Sequence, residues 1–388
     1  SAVTSYYVLA GATALLLVLG LVMVLSSSSI DSLSAGRSPY AEFFDQTKYA
    51  LVGLPLLVLL ARMPVRRLKA IAWPALVAAV AFQALVFTPL GRSQGGNRNW
   101  VHLPGFQAQP SEVIKLALAL WLGAVLARKL PLLSQWQHAL IPAVPVAGGA
   151  IGIVLLGHDL GTAIVLFLLV FGALWVSGAK FRMFAIPVIA VAAVTVPLAM
   201  STNRSGRIKA WLDPAVADPG NQGVTYQSMH GIWALGTGGW GGLGLGQSRE
   251  KWSYLPEAHN DFVFAIIGEE LGLLGTLLVL ALFALLAFAM VRVIRRHDDA
   301  FARITTGAIM CWIIGQALVN IAVVIGLLPV IGVPLPLVSA GGSALIMTMA
   351  AIGVVLAFAR SEPGAAAALA GRPSVFRRSL AVLGRARG

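Results

Sequence analysis

The sequence predicts an all-α, polytopic membrane fold of ten spanning helices, and three observations carry that prediction. Hydrophobic residues fill 58% of the 388 positions and charged residues only 11%, with a mean hydropathy of +0.84. A soluble domain carries about 25% charged residues to cover its core with a wetted surface. Two-domain soluble enzymes, nucleic-acid-binding modules and disordered chains are therefore disfavoured as classes. The apolar residues fall into long runs, and Lys and Arg collect between alternate runs. The net charge of +13 thus reads as basic cytoplasmic loops rather than as a nucleic-acid surface.

A bilayer core about 30 Å thick needs about 20 apolar residues per helix. Runs of that kind lie at 6–26, 47–63, 70–90, 112–127, 138–156, 161–178, 182–200, 261–291, 303–326 and 342–359. The first lacks a basic leader and a small-residue cleavage site before a polar domain, so it reads as a span rather than a signal peptide. Eighteen of the 28 Lys and Arg residues follow even-numbered spans, nine follow odd-numbered ones, and Lys115 lies within a span. Basic loops stay cytoplasmic. Both termini are expected there, with one large outer loop, 201–260, between spans seven and eight. The spans form a single domain over 1–360. The Ala/Gly/Arg-rich remainder, 361–388, is expected to be a disordered basic cytoplasmic tail. The single cysteine, Cys311, allows no intrachain disulfide.

The outer loop opens with the basic residues Arg204, Arg207 and Lys209. Its stretch from Gly231 to Gly246 is expected to be too glycine-rich for a stable helix and to form a loop packed by Trp233 and Trp240. Gly236, Gly238 and Gly241 formally match a dinucleotide fingerprint, but no strand precedes them.

Polar groups entering the bilayer are functional candidates by default. Asn260 or Asp261 is placed to cap the eighth span. On a continuous helix Gly268, Gly272 and Gly275 would share its face within about 40°, leaving a smooth groove beside the carboxylate. Glu269 and Glu270 would lie about 12 Å deeper, protonated or paired with basic groups of neighbouring spans. Glu112 and Lys115 at the start of the fourth span are spaced to pair on one face. Gly157-His158-Asp159-Leu160-Gly161-Thr162 reads as a capped turn; His158 with Asp159 supplies two candidate metal ligands, a weak signal. Gly332 to Ser343 is apolar but holds two prolines and a glycine pair, so it is expected to be a broken or re-entrant element beside a cavity.

Apart from Glu269 and Glu270, this chemistry gathers at the outer leaflet: Arg98, Glu112, Lys115, Asp159, Asp261 and the Arg204–Lys209 cluster. A transporter would place ionisable groups near the midplane of repeated units, and no internal repeat is evident. An enzyme acting on a lipid with its head group at the outer surface fits better. Basic groups would hold an anionic head group while a carboxylate takes a proton from an attacking hydroxyl.

Six stretches in this order resemble the SEDS family of polytopic peptidoglycan glycosyltransferases: Asn97-Arg98-Asn99-Trp100; Gln109-Pro110-Ser111-Glu112 with Lys115; Asp159-Leu160-Gly161-Thr162; Leu255-Pro256-Glu257-Ala258-His259-Asn260-Asp261-Phe262; Gly268-Glu269-Glu270-Leu271-Gly272; and Leu335 to Ser343. The Pro-Glu-Ala-His form is more similar to the division branch than to the elongation branch. Four positions depart from the family pattern: His158 for proline, Asn260 for threonine, Ala340 for tyrosine, and Asn99 between Arg98 and Trp100.

The resemblance implies polymerisation of lipid II at the outer face of the cytoplasmic membrane, at the division septum, with undecaprenyl pyrophosphate leaving and the anomeric centre inverting. It implies Asp261 as general base. Arg98, Lys115, Arg204, Arg207 and Lys209 would steady the pyrophosphate, optionally with magnesium or manganese, and Glu112 would orient Lys115. Asp159, His259 and Ser339 are further substrate-binding candidates. Implied partners are lipid II and its undecaprenyl-linked glycan, a class B penicillin-binding transpeptidase and other divisome proteins, with no nucleic acid. The alternatives are an elongation-type polymerase, a lipid II flippase, which would need a polar path to the cytoplasmic side, or a scaffold.

Overall fold

The computed structural model describes residues 3–94, 97–103, 106–184, 224–252, 255 and 258–370, with positions 189, 193, 208, 211 and 212. Eight helical stretches among them are long and apolar enough to cross a membrane, and a further apolar helix of 17 residues, Leu160–Val176, accompanies them. The expected span 182–200 falls mostly outside the described residues.

In chain order the helices are α1 (Thr4–Ser34), α2 (Ala41–Arg62), α3 (Val65–Ala84), α4 (Pro110–Arg128), α5 (Trp136–Leu140), α6 (Ala143–Leu156), α7 (Leu160–Val176), α8 (Val224–Gly238), α9 (Val263–Arg296), α10 (Ala300–Val324), α11 (Gly342–Ser361) and α12 (Ala365–Ala370). The fold is not purely helical. Between α3 and α4 an antiparallel sheet, β1 (Gly91–Gln94), β2 (Asn97–Leu103) and β3 (Phe106–Ala108), replaces the expected loop. Along β2, Asn99 and Val101 point inward and are buried while Arg98 and His102 are exposed, the period-two pattern of a half-buried strand.

Helix α4 is the hub. It is buried along nearly its whole length among α3, α7 and α10. Its small residues let neighbours approach: a Cβ on Gly123 would collide with Thr305 of α10. Helices α2 and α11 pack along most of their lengths, and a Cβ on Gly353 would sit 2.6 Å from the Leu57 carbonyl oxygen. Close backbone approach through small residues drives helix association where lipid removes the hydrophobic contrast. Leu51, Val52, Leu54, Val58 and Leu59 on the far face of α2 stay exposed, as a lipid-facing surface requires.

Three expectations need correction. The stretch beginning at Gly231 is helical as far as Gly238, as the second half of α8, because it packs on α9 and tertiary contact outweighs glycine's low propensity. Trp233 and Trp240 are 50% and 77% exposed, so they do not pack that loop. The eighth span is not one continuous helix from Asp261. It starts at Val263 and breaks at Gly272 (φ 66°, ψ −163°), a left-handed conformation suited to glycine, where a Cβ would strike the Trp240 carbonyl. The glycine face shared through Gly275 therefore does not hold, whereas Glu269 and Glu270 precede the break. Past residue 360 the chain remains ordered: Glu362 is buried and α12 follows. Residues 371–388 lie outside the described residues.

Candidate active site

The segment 325–341 between α10 and α11 is irregular, with mostly local turn bonds, so side chains must satisfy much of its backbone. Three buried amides do this. Gln46 of α2 donates through Nε2 to the Ser339 carbonyl (3.1 Å) and accepts from the Gly341 amide (3.1 Å). Gln316 of α10 donates to the Pro334 carbonyl (2.9 Å). One turn further on, Asn320 Nδ2 donates to the Val333 carbonyl (2.8 Å). Ser339 Oγ closes the turn by accepting from the Leu335 amide (2.8 Å).

Asp261 is docked onto this segment. It sits half-buried in the turn that precedes α9. Asn320 Nδ2 also donates to the Asp261 carbonyl (2.7 Å), and the Ala340 amide donates to the His259 carbonyl (2.9 Å). The Asp261 carboxylate lies beside Gly332, where a Cβ would fall 3.5 Å from Oδ2. Gly332 has φ +80°, a left-handed backbone that suits glycine. Asp261 and His259 are thus docked on the segment that holds Ser339.

Glu112 and Lys115 form the expected pair on α4, Nζ to Oε2 at 2.7 Å. Lys115 is only 2% exposed. Its ammonium also donates to Gln316 Oε1 (3.3 Å) and lies 5.0 Å from the centre of the Trp312 ring. Gln316 Oε1 accepts from Trp312 Nε1 as well (3.1 Å). In this arrangement Lys115 offers no open face to a pyrophosphate. It fixes Gln316, and through it the Pro334 carbonyl.

Asp159 is the N-cap of α7 and is buried. Its Oδ1 accepts from the Thr162 amide (3.0 Å). Its Oδ2 accepts from Asn99 Nδ2 (2.9 Å), Gln109 Nε2 (2.8 Å) and Thr162 Oγ1 (2.8 Å). An oxygen with three donors has no lone pair left for a cation. Oδ1, with one donor, is then the only carboxylate oxygen of Asp159 left for the suggested His158–Asp159 metal pair, and no group of three or more metal-ligating side chains occurs among the described residues. Gln109 also ties this cap to α11, its amide donating to Ser343 Oγ (3.2 Å).

Arg98 is exposed on β2. Its amide donates to the Gly157 carbonyl (2.9 Å) and its Nη2 to the Thr88 carbonyl (3.0 Å). Arg204, Arg207 and Lys209 lie outside the described residues, as do Pro256 and Glu257.

Glu269 and Glu270, within α9, anchor the segment that follows α8. Glu269 accepts from Ser248 Oγ and from the Arg249 amide (2.9 Å). Glu270 accepts from Ser26 Oγ of α1 (2.7 Å) and from the Ser248 amide (3.3 Å), and it pairs with Lys251 (3.3 Å). The basic partner comes from the following loop, not from a neighbouring span.

Sequence reading missed Gln46, Gln316 and Asn320, and it quoted Asn99 and Gln109 in motifs without giving them a role. The readable signal was an amide side chain inside or just before an apolar run, with Gln316 and Asn320 spaced i,i+4 on one helical face.

These features can be set beside known proteins. The family model described as cell cycle protein, FTSW_RODA_SPOVE, matches residues 7–363. A Mycobacterium tuberculosis protein called probable peptidoglycan glycosyltransferase FtsW is 41% identical over 380 residues, covering 97% of this chain and 72% of its own length. A Halorhodospira halophila protein of the same name is 38% identical over 355 residues, 89% of this chain and 87% of its own. Among solved structures, a chain from a peptidoglycan synthase complex coordinating polymerization and crosslinking superposes with a TM-score of 0.75 at 29% identity, covering 92% of this chain and 98% of that one. The Thermus thermophilus rod shape determining protein RodA gives 0.69 at 29% identity, covering 92% and 97%. The match runs over nearly the whole chain and includes every motif that builds the Asp261 unit, so this chain belongs to the FtsW/RodA/SpoVE family of cell cycle proteins.

Proposed function

We propose that this protein polymerises lipid II into glycan strands at the outer face of the cytoplasmic membrane during cell division, with Asp261 as the general base. One observation carries the reading. A carboxylate stands half-buried at the head of a helix, its backbone clamped by Asn320 to an irregular, glycine-bearing segment held by Gln46 and Gln316. Such a clamp fixes the backbone that carries the base, and a positioned carboxylate suits proton abstraction.

The reaction follows. The 4-hydroxyl oxygen of the acceptor sugar forms a bond to the anomeric carbon of the donor as its proton passes to the Asp261 carboxylate. The bond from that carbon to the pyrophosphate oxygen breaks, the electron pair leaves with undecaprenyl pyrophosphate, and attack from the opposite face inverts the centre. Arg98, exposed on the sheet, together with Arg204, Arg207 and Lys209, would counter the charge on the leaving pyrophosphate. Lys115 with Glu112 supports the segment from within.

Both termini are taken as cytoplasmic, which puts the sheet, Asp261 and α8 outside. The division role is supported by the names of the relatives at 41% and 38% identity. Partnership with a class B transpeptidase, among other divisome proteins, is supported by likeness to a chain of a synthase complex. The test is lipid II polymerisation by purified protein, with and without that partner. Asp261→Asn is expected to lower the rate by about 10²–10⁴-fold with an unchanged unfolding midpoint. A rate near wild type would refute Asp261 as the base.

A further inference from the structure

At the end of the bundle away from the sheet, α4 and α7 lead into two short connections that meet. Residues 129–140 follow α4 and residues 177–183 follow α7, and α5 packs against the turn at 181–184. Between them lies a cavity of about 450 Å³ lined by Ser134, Gln135, Trp136, Gln137, Lys180 and Arg182, among others. Lys180 and Arg182 are both exposed, and neither side chain has an ion pair or hydrogen bond among the described residues. Two cations left unneutralised beside three polar side chains form a surface for an anion. They stand in contrast to Lys129 nearby, whose Nζ already donates to the Ile141 carbonyl at 2.6 Å.

The surroundings identify the anion. Trp136 is 54% exposed, and Leu130, Leu132 and Ile141 are exposed around the same connection. An indole beside exposed aliphatic side chains at the end of spanning helices is the pattern of a membrane–water boundary, apolar below and wet above. A basic pocket at that level, between spanning helices, meets lipid phosphates before it meets anything in solution.

We propose that this cavity binds the phosphate of an anionic lipid, a phosphatidylglycerol or cardiolipin head group, in the leaflet opposite the one that Asp261 faces. Lys180 and Arg182 carry the phosphate, Arg182 by its paired guanidinium donors. Gln135, Gln137 and Ser134 serve the glycerol hydroxyls, and Trp136 rests on the upper acyl chain. The site is remote from the Asp261 unit and does not depend on the reaction proposed there.

The test uses the full chain, delipidated in neutral detergent, titrated with phosphatidylglycerol, cardiolipin, phosphatidylcholine of the same acyl chains, or inorganic phosphate. Binding is read by native mass spectrometry and by the thermal unfolding midpoint. Anionic lipid is expected to bind and raise the midpoint, with affinity at least about tenfold weaker in the K180Q/R182Q double variant. Phosphatidylcholine and inorganic phosphate are expected to leave both readouts unchanged. Equal lipid affinity in wild type and variant would overturn the site. Equal response to phosphatidylcholine would overturn the role of charge, and the same response to inorganic phosphate alone would overturn the lipid as its source. If the double variant lowers the lipid-free midpoint, K180Q alone carries the comparison, with a smaller loss expected.

Discussion

Asn320 Nδ2 donates to the carbonyl of Asp261 at 2.7 Å and, from the same nitrogen, to the carbonyl of Val333 at 2.8 Å. One buried amide thereby joins the turn that presents the carboxylate to the irregular segment beside it. Removing that amide leaves two carbonyls without their donor, at a cost of about 1–3 kcal/mol where they are buried. Asn320→Ala is expected to lower the unfolding midpoint modestly and to lower polymerisation much further, mainly in kcat, since the base shifts while substrate contacts stay. Asn320→Ala retaining wild-type kcat would show that the clamp is only structural.

The Glu112–Lys115 pair makes a different prediction, because both charges are buried. Breaking such a pair strands one charge in a low-dielectric interior and costs about 3–5 kcal/mol. Lys115→Met should therefore be far more damaging than its surface counterpart Lys48→Met, whose pair with Asp45 is open to solvent. The double replacement Glu112→Gln with Lys115→Met should recover much of the lost stability, since no lone charge remains. Thermal unfolding of the two single variants and the double variant forms the cycle. Strict additivity would refute the coupling.

How much of this was legible beforehand differs by element. The long apolar runs gave most spans, because a membrane helix needs nothing else to be recognised. The Glu112–Lys115 pair followed from its i,i+3 spacing. The sheet at 91–108 escaped notice although Asn99 and Val101 alternate with Arg98 and His102, since the apolar-run search cannot register a half-buried strand of seven residues. The break at Gly272 was hidden because Gly-Glu-Glu-Leu-Gly fits a continuous helix equally well. Only the packing of Trp240 and Gly242 against it fixes the left-handed backbone. The amides Gln46, Gln316 and Asn320 act on carbonyls that no pattern reveals, because the segment they hold is irregular and its neighbours are distant in sequence.

The loop after α8 is held through Glu269 and Glu270. Lys251 pairs with Glu270 at 3.3 Å and donates to the Gly246 carbonyl at 2.6 Å, both in a buried setting. Lys251→Met removes both bonds while Ser26 and Ser248 still serve Glu270. Segment 239–252 should then open locally, and the fully buried Glu270 is left without its cation, which costs global stability as well. Limited proteolysis should cut there faster in the variant, and the global unfolding midpoint should fall; Lys251→Met with Glu270→Gln should restore much of the midpoint but not the slow cleavage. Equal cleavage rates would show that the backbone bonds from Leu243 and Gly244 to the Glu269 and Glu270 carbonyls suffice.

At the far end of α9, His297 makes stability depend on pH. Burial pushes its imidazole pKa below the usual 6.5, against the opposing pull of the Asp299 and Asp298 carboxylates, while Arg303 adds to the lowering. The hydrogen bonds fix the tautomer. The Asp299 amide donates to Nδ1 (3.0 Å), so the ring proton sits on Nε2 and is donated to Ser361 Oγ (3.0 Å), joining α9 to the end of α11. A second proton on Nδ1 would face the Asp299 N–H and break the turn that Asp299 builds by capping α10. The unfolded chain takes up that proton near pH 6.5 and the folded chain only lower, so between the two values the unfolded state binds more protons. The contribution is complete above about pH 6.5 and is lost as pH falls toward the folded value. The unfolding midpoint in detergent should fall between pH 7 and pH 5. In His297→Gln, whose amide oxygen and nitrogen can serve the same two partners without titrating, that part of the slope should vanish. An identical slope in the variant would assign the dependence to other groups.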